Sequence, residues 1–351
     1  MQTTNHQHTD WLLANEAFLR QHLDRLRLLM EKRARLEAAS SEEADDASNA
    51  PAAEGPGSVA TSTEADPRFP LHGLCSEFGL SLFERDVILM CAGMELDSNF
   101  AAACVEAGAT GGRVSFALAL EALEDSHWSA LLPDGALRRW RLIEVVERDL
   151  LVRQPLRIPE RVLHFLLGFP AEDALFAAIS ESIPAPDPKT LSASRSAIRD
   201  QIVGVWNPEA ESAAVPMAVQ LYGEVAADKR TVAAAAAARC GLHLRSLAPQ
   251  AIPNAIDEQE NLARLWEREA VLGNVALYLE LPPSAERGMI QVALDFIRRL
   301  SVPRVLAAAD VIPGAQMLRI EVAKPDPAEQ RALWRECLGE DAAALNGRLE
   351  A

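Results

Sequence analysis

The chain has 351 residues, a net charge of −17 and a hydrophobic fraction of 49%. This length predicts two or three domains, and the acidic balance argues against a general binder of nucleic acid or anionic membranes, which needs a basic face. There is neither a signal-peptide core at the N-terminus nor a run of about 18 apolar residues, so the sequence predicts a cytoplasmic protein. Its five scattered cysteines form no C-x-x-C pair, which indicates reduced core thiols.

The first 67 residues predict a helix and a linker. Residues 1–38 carry apolar side chains at helical spacing from Trp11 onward, a stripe typical of a core or partner-helix face. The basic residues between them are typical of a solvated face. Residues 39–67 are rich in Ser, Ala, Gly, Pro and acidic residues, which predicts a disordered linker that protease should cut first.

Residues 68–184 predict a second domain of short helices and a small hairpin. Ser81 and Glu84 are spaced as a capping box that opens a helix. Extended pieces are predicted at 142–146 and 150–152, before a last helix at 159–167. Helices followed by a hairpin describe a winged-helix-like module.

That module carries little positive charge on its helices. Its one basic cluster is Arg138, Arg139 and Arg141, next to Trp140. A winged helix that reads DNA needs several cations to neutralise phosphates. The sequence therefore favours protein contact over specific binding of duplex DNA.

Residues 185–325 predict a third domain, and a Pro-rich hinge at 183–189 leads into it. The predicted strands are 215–222, 242–247, 275–281, 304–309 and 317–322. Helices are predicted before, between and after these strands, at about 193–206, 229–240, 257–271, 285–300 and 327–338. Alternation predicts a parallel sheet covered on both faces, with a ligand crevice at the carboxyl ends of the strands. Residues 326–351 would begin a helical lid. The predicted fold class is therefore α/β and helix-rich.

A strand, a polar loop and a helix follow one another within residues 217–240. Gly223 and Lys229 have the spacing of the phosphate-binding pattern G-x-x-x-x-G-K-[ST], in which loop N–H groups converge on phosphate. Asp228 stands where the second glycine belongs, and Arg230 replaces the hydroxyl that would bind Mg²⁺. Lys229 is unfavourable against the dipole of a helix N-terminus, which indicates descent from an anion site, although a solvent-exposed lysine is the alternative.

These replacements bear on the cofactor. The Asp228 carboxylate would face phosphates at a cost of about 1 to 4 kcal/mol per unit charge at ~4 Å, depending on screening. Arg230 adds a fixed cation that could stand in for the metal. ATP or ADP is thus the cofactor that the loop would hold, while the requirement for Mg²⁺ is in doubt.

Acidic residues end the next two strands that such a site would use. Glu280 occupies the position of the Mg²⁺-binding Asp of NTPases, and Leu281 occupies that of the water-activating base. Leucine cannot accept a proton, so no catalytic residue and no metal ligand is predicted. Asp310 ends the following strand, where a polar sensor would touch phosphate. A solvent-facing Glu280 and a turn-initiating Asp310 are the alternatives.

Several of these segments resemble the AAA+ ATPase family. They are the loop from Gly223 to Lys229, the strands LYLEL and VLAAAD, and LRIEVAKPDPAEQR, which is similar to the family's final strand and first lid helix. The stretches LSLFERDVILMCAGMELDSNFA, HWSALLPDGALRRWRLIEV and PLRIPERVLHFLLG resemble, more narrowly, the AAA+ ATPases encoded with extracellular contractile injection systems.

The resemblance implies an N-terminal winged-helix region and a degenerate first ATPase module. It implies other AAA+ subunits and injection-particle components as partners, and a role in assembly or cargo loading of the particle. The chain ends at Ala351, inside what would be the first lid, and carries no second phosphate loop. A weak but genuine ATPase using Lys229, Arg230 and Glu280 is one alternative, and a winged-helix DNA-binding regulator is another.

Overall fold

The computed structural model describes residues 2–43, 68–109, 111–145, 150–188, 191–206, 218–313 and 316–338. The chain divides into two compact units, 1–171 and 172–351. Among the described residues, the first unit is helical with a small hairpin, and the second is a six-stranded sheet with helices. The predicted helix-rich α/β fold class is therefore confirmed.

The first unit is built from short helices around one long one. Its described helices are α1 (Gln2–Glu43), α2 (Pro70–Phe78), α3 (Leu82–Leu96), α4 (Ser98–Glu106), α5 (Phe116–Ala122), α6 (Ala136–Arg139) and α7 (Glu160–Leu167). Helix α1 has 42 residues, so it is about 63 Å long at 1.5 Å per residue. Its buried apolar side chains Leu19, Leu23, Leu26 and Met30 recur every three to four residues, which explains the helix.

The end of α1 differs from the predicted one. Residues 39–43 continue the helix, so the predicted linker does not start at residue 39. The rest of the predicted linker, 44–67, lies outside the described residues.

Local capping explains where α3 and α4 begin. The Ser81 hydroxyl accepts the Glu84 N–H at 3.1 Å, and Glu84 Oε2 accepts the Ser81 N–H at 2.9 Å, which confirms the predicted capping box. The Asp97 carboxylate accepts the N–H groups of Asn99 and Phe100, and starts α4. The sequence did not predict α4.

The hairpin of the first unit is shorter and later than predicted. Strand β1 (Glu144–Val145) pairs antiparallel with β2 (Leu156–Arg157), so that Val145 lies opposite Leu156. The predicted extended piece at 150–152 is wrong, because Leu151–Arg153 forms a 3₁₀ helix. The three residues of this segment are apolar or basic and suit either a strand or a 3₁₀ helix. Only the pairing with β1 decides which segment forms the second strand of the hairpin.

The second unit contains the larger sheet. Its described helices are α8 (Ala174–Ile179), α9 (Ala193–Trp206), α10 (Ala226–Arg239), α11 (Ile256–Gly273), α12 (Arg287–Arg299) and α13 (Pro327–Leu338). Its strands are β3 (Ser180–Ile183), β4 (Ala218–Tyr222), β5 (His243–Leu247), β6 (Val275–Glu280), β7 (Arg304–Ala308) and β8 (Met317–Glu321), in the order β3-β5-β6-β7-β4-β8. All neighbours are parallel except β3 and β5, so the predicted parallel sheet is confirmed for five strands.

Alternating side chains of each strand pack on opposite faces of this sheet. In β6, Leu277 and Leu279 pack with Trp266 of α11, whereas Ala276 and Tyr278 pack on the face covered by α9 and α10. This period of two places helices on both faces, as the alternation of strands and helices predicts.

The sequence missed the edge strand β3 and the helix α8 that precedes it. Ser180 pairs with Leu247 and Ile183 with Leu244, so residues next to the predicted Pro-rich hinge belong to the sheet. The predicted domain bounds at 184 and 185 stay a prediction.

None of the described helices is, on its own, long and apolar enough to cross a membrane. The pair α3 and α4, bent by 117°, meets that test only together, by length and composition.

Candidate functional site

The strand β4 ends at the point where the sheet connections change direction. The strand lies between β7 and β8, while the chain that leaves it through α10 returns as β5 on the far side of β7. In open α/β sheets, ligands bind at such switch points, outside the carboxyl ends of the strands. This end of β4, with the first turn of α10, is called the β4 corner below.

Gly223 is required at the β4 corner by close approach of the backbone. Its φ is 145°, and a Cβ atom there would lie 2.4 Å from the Val322 carbonyl oxygen. Its N–H donates to the Ala309 carbonyl at 3.0 Å. The glycine therefore brings the chain between the ends of the two neighbouring strands.

Helix α10 begins at Ala226, three residues before the predicted start at Lys229. Only Gly223, Glu224 and Val225 separate it from β4, so residues 226–228 form a helical turn instead of a phosphate loop. The sequence explains the difference, because alanine is the best helix former and an acidic residue in the first turn is favoured by the dipole. Asp228, which replaces the motif's second glycine, is that residue.

Lys229 is buried in the β4 corner and is held by the main chain. Lys229 is only 3% exposed, and its Nζ donates to the carbonyl oxygens of Gly223 at 2.5 Å and Ala308 at 2.9 Å. Burial lowers the pKa of the ammonium group. The cation thus binds two strand-end carbonyls of its own fold.

The two residues beside Lys229 form ion pairs with other elements. The Asp228 carboxylate pairs with Arg195 of α9. Arg230 Nη2 lies 2.7 Å from Glu280 Oε2 at the end of β6, and its guanidinium lies 5.8 Å from the ring centre of Tyr278. The structure therefore brings Gly223, Asp228, Lys229, Arg230 and Glu280 together around one corner.

The remaining predicted residues lie on the neighbouring strand ends. Asp310 follows β7 and is exposed, and its main-chain oxygen accepts the Gln220 side-chain N–H at 3.3 Å. Leu281 is 4% exposed and packs in the core against α11 and α12. A leucine at this position is therefore a core residue.

Sequence reasoning missed Arg195 and Gln220. Arg195 lies 33 positions before its partner Asp228, and no local pattern connects the two. Gln220 is fully buried in β4, and its Oε1 has no hydrogen-bond partner among the described residues. A polar residue inside the apolar run AVQLY was a signal that could have found it.

The residues of the β4 corner are arranged to neutralise one another. Each carboxylate among Asp228 and Glu280 is matched by an arginine, and the ammonium of Lys229 is bound by carbonyls. Within the described part of the chain, no group of three or more His, Cys, Asp or Glu side chains could hold a metal ion.

Comparison with known families gives a match in the first half of the chain. The family model "Winged helix domain, variant" matches residues 3–180, which is 178 of 351 residues. The chain belongs to this winged helix domain family. No protein with a curated description matches it. A solved structure titled "Structure of Rhizobiales Trip13" is similar at 16% identity over 49% of this chain and 78% of that chain, with a TM-score of 0.32. A likeness this distant carries no argument about function.

The basic cluster of the winged helix domain is partly used by the fold. Arg138 Nη1 donates to the Leu131 carbonyl at 2.7 Å, and the Arg139 guanidinium lies 4.9 Å from the ring centre of Trp140. Trp140 itself contacts Phe78 of α2, with ring centres 5.6 Å apart. The winged helix domain therefore uses Arg138 to hold a turn, which leaves fewer cations for a phosphate backbone.

Proposed function

We propose that this chain is a recognition protein, in which a winged helix domain binds protein partners and the adjoining α/β unit is an AAA+-like module that does not hydrolyse ATP. One observation carries the proposal: the ammonium of Lys229 is bound to the carbonyls of Gly223 and Ala308. A lysine that serves a triphosphate must present its N–H groups to phosphate oxygens.

The arrangement at the β4 corner does not fit a triphosphate. Binding would require Lys229 to leave two carbonyls and the turn at 226–228 to unwind into a loop. Asp228 would then approach phosphate oxygens, and separating it from Arg195 would leave a carboxylate without its partner. Like charges at ~4 Å cost about 1 to 4 kcal/mol, depending on screening.

Two residues of this module are also unsuited to ATP hydrolysis. Leu281 is buried at the position that would activate water, and it cannot accept a proton. Arg230 occupies the position of the metal-binding hydroxyl and is paired with Glu280. These contacts support a structural role for the module.

The biological setting proposed here rests on the sequence resemblance. The segments that resemble AAA+ ATPases of contractile injection systems suggest assembly or cargo loading of such a particle in the cytoplasm, with other AAA+ subunits and particle components as partners. The net charge of −17 favours protein partners over nucleic acid or membranes.

A titration with a fluorescent ATP analogue, with and without Mg²⁺, tests the proposal together with an assay of phosphate release. We expect no saturable binding and no release above background. Asp228→Gly removes the ion pair with Arg195 and restores the motif's second glycine, so it should increase analogue binding. Asp200→Gly is a matched control, because Asp200 also pairs with an arginine of α9 but lies outside the β4 corner.

Phosphate release by the unchanged protein that disappears in Lys229→Ala would overturn the proposal in favour of a weak ATPase. Sequence-dependent binding of duplex DNA at physiological salt, lost when Arg138 and Arg139 become Glu, would instead favour the DNA-binding regulator.

A further inference from the structure

The winged helix domain contains a half-open cavity of about 390 Å³ between α1, α2 and the start of α3. Its walls include the apolar side chains of Phe18, Leu71, Leu80 and Leu82. Sites for small ligands have volumes of about 300 to 1,000 Å³, with mostly apolar walls and a few placed polar groups. This cavity has both properties.

The first polar group is His22 of α1, which lines the cavity. It is 3% exposed, and its Nδ1 is buried with no hydrogen-bond partner among the described residues. Burial, with help from Arg85 and Arg25, lowers the pKa of His22 to about 4, so the ring is neutral at pH 7. Because a buried polar atom without a partner is costly, a ligand that bonds this ring would be favoured.

The second polar group is Arg85, at the wall formed by α3. Its Nε lies 2.9 Å from Asp86 Oδ1, while Arg25 Nη2 lies 2.6 Å from Asp86 Oδ2. Two cations thus share the carboxylate of Asp86, so these three side chains together carry a net positive charge beside the cavity. Cys75 adds no negative charge, because burial raises the pKa of its thiol to about 11. The cavity is therefore complementary to an apolar group that carries an anion.

Apolar surface continues outside the cavity. Leu82 is 60% exposed at its edge. Trp128 is 65% exposed and adjoins His127, whose Nε2 lies 2.8 Å from the Ser81 hydroxyl on the cavity wall. Tryptophan and arginine are the residue types that most often dominate binding energy at protein interfaces. A ligand that extends beyond the cavity would find contacts there.

We propose that this cavity binds the C-terminal residue of a partner protein, with its side chain among the apolar walls and its carboxylate at Arg85 and His22. The residues before it would cross Leu82 and Trp128. A C-terminal residue carries an apolar side chain and a carboxylate on one Cα, which are the two groups that the cavity complements. This inference deepens the proposed function, because it names a site through which the winged helix domain recognises proteins.

Fluorescence anisotropy on the full chain tests this proposal. The probes are fluorescein-labelled Gly-Ser-Gly-Ser-Leu and Gly-Ser-Gly-Ser-Phe, each as the free acid and as the C-terminal amide. We expect the acids to bind and the amides to bind about tenfold more weakly, since a hydrogen bond to a charged group is lost. Free octanoate is a further probe, because it shares the chemistry without a peptide.

Two substitutions locate the site. Arg85→Gln should weaken binding of the acids about tenfold and change binding of the amides little. Ser76→Trp places a large side chain at an exposed lining position and should abolish binding of both. Arg20→Gln is the matched control, since Arg20 is an exposed cation of α1 outside this cavity and should leave binding unchanged. Arg85→Lys replaces Arg85→Gln if the latter fails to fold by circular dichroism, and should retain the preference for acids.

Equal affinity for acids and amides, or binding unaffected by Ser76→Trp, would overturn the inference. So would binding of octanoate without either peptide, or binding of none of the probes. ATP hydrolysis measured on the same samples tests the proposed function separately, so peptides can fail to bind while the proposed function stands, and the reverse.

Discussion

The β4 corner and the cavity of the winged helix domain contrast in how Lys229 and Asp228 at the corner, and His22 in the cavity, are paired. At the β4 corner, a sequence pattern for phosphate binding is present, yet Lys229 and Asp228 already have partners within the fold. The sequence shows no known motif at the cavity, yet a buried nitrogen of His22 has no hydrogen-bond partner in the described part of the chain. A sequence motif alone therefore does not show whether its side chains are available to a ligand, whereas the contacts of each side chain in the fold do.

The largest expected effect tests how tightly the β4 corner is built. Gly223→Ala should lower the free energy of unfolding by about 4 kcal/mol, because the added Cβ meets the Val322 carbonyl and the residue must keep a positive φ. Chemical denaturation measures this loss. Gly204→Ala is the control: that helical glycine has open space, so alanine should raise stability by up to about 1 kcal/mol. Equal effects of the two changes would show that the corner is loose.

The pH dependence of stability tests the cavity, the second region in this comparison. The pKa of His22 is lowered to about 4 in the folded state, so between about pH 6.5 and pH 4 the unfolded chain takes up a proton that the folded one does not. Stability should therefore be complete above pH 6.5 and fall by up to roughly 3 kcal/mol as the pH drops to 4. His22→Phe cannot titrate and should lose correspondingly less over the same range. Identical pH profiles would contradict a buried neutral histidine.

The smallest expected effect distinguishes a structural lysine from a ligand-binding one. Lys229→Met should lower the free energy of unfolding by about 2 kcal/mol, because the carbonyls of Gly223 and Ala308 lose a charged donor. Arg230→Met is the neighbouring control and should cost less than about 1 kcal/mol, since that arginine is half exposed. If Lys229→Met left stability unchanged and altered binding of an ATP analogue, the β4 corner would be an open site after all.

Local pattern was sufficient for most elements of the fold. The strands from β4 to β8 and the helices between them follow from apolar runs that alternate with helical segments along the chain. The capping box at Ser81 fixes the start of α3. The local pattern did not predict the strands whose position depends on the strand with which they pair. The strand β3 exists because it pairs with β5, and β2 is placed by β1 rather than by its own residues.

The sequence predicted which residues meet at the candidate site, but it did not predict the local structure that they adopt there. The sequence named Gly223, Asp228, Lys229, Arg230 and Glu280, and these residues do meet. It could not show that Ala226 starts a helix, since helix and loop compete there and tertiary contacts decide. The cavity was beyond sequence reasoning as well, because His22 and Arg85 come from segments 63 positions apart in the chain.

The edge strand β3 has a practical consequence for anyone who dissects the molecule. Cutting the chain at the Pro-rich stretch 183–189 would remove β3 and leave the N–H and C=O groups of β5 unpaired at an exposed edge. Such an edge is a template for intermolecular pairing and aggregation. A soluble preparation of the α/β unit should therefore start at or before Glu172, where the second unit begins.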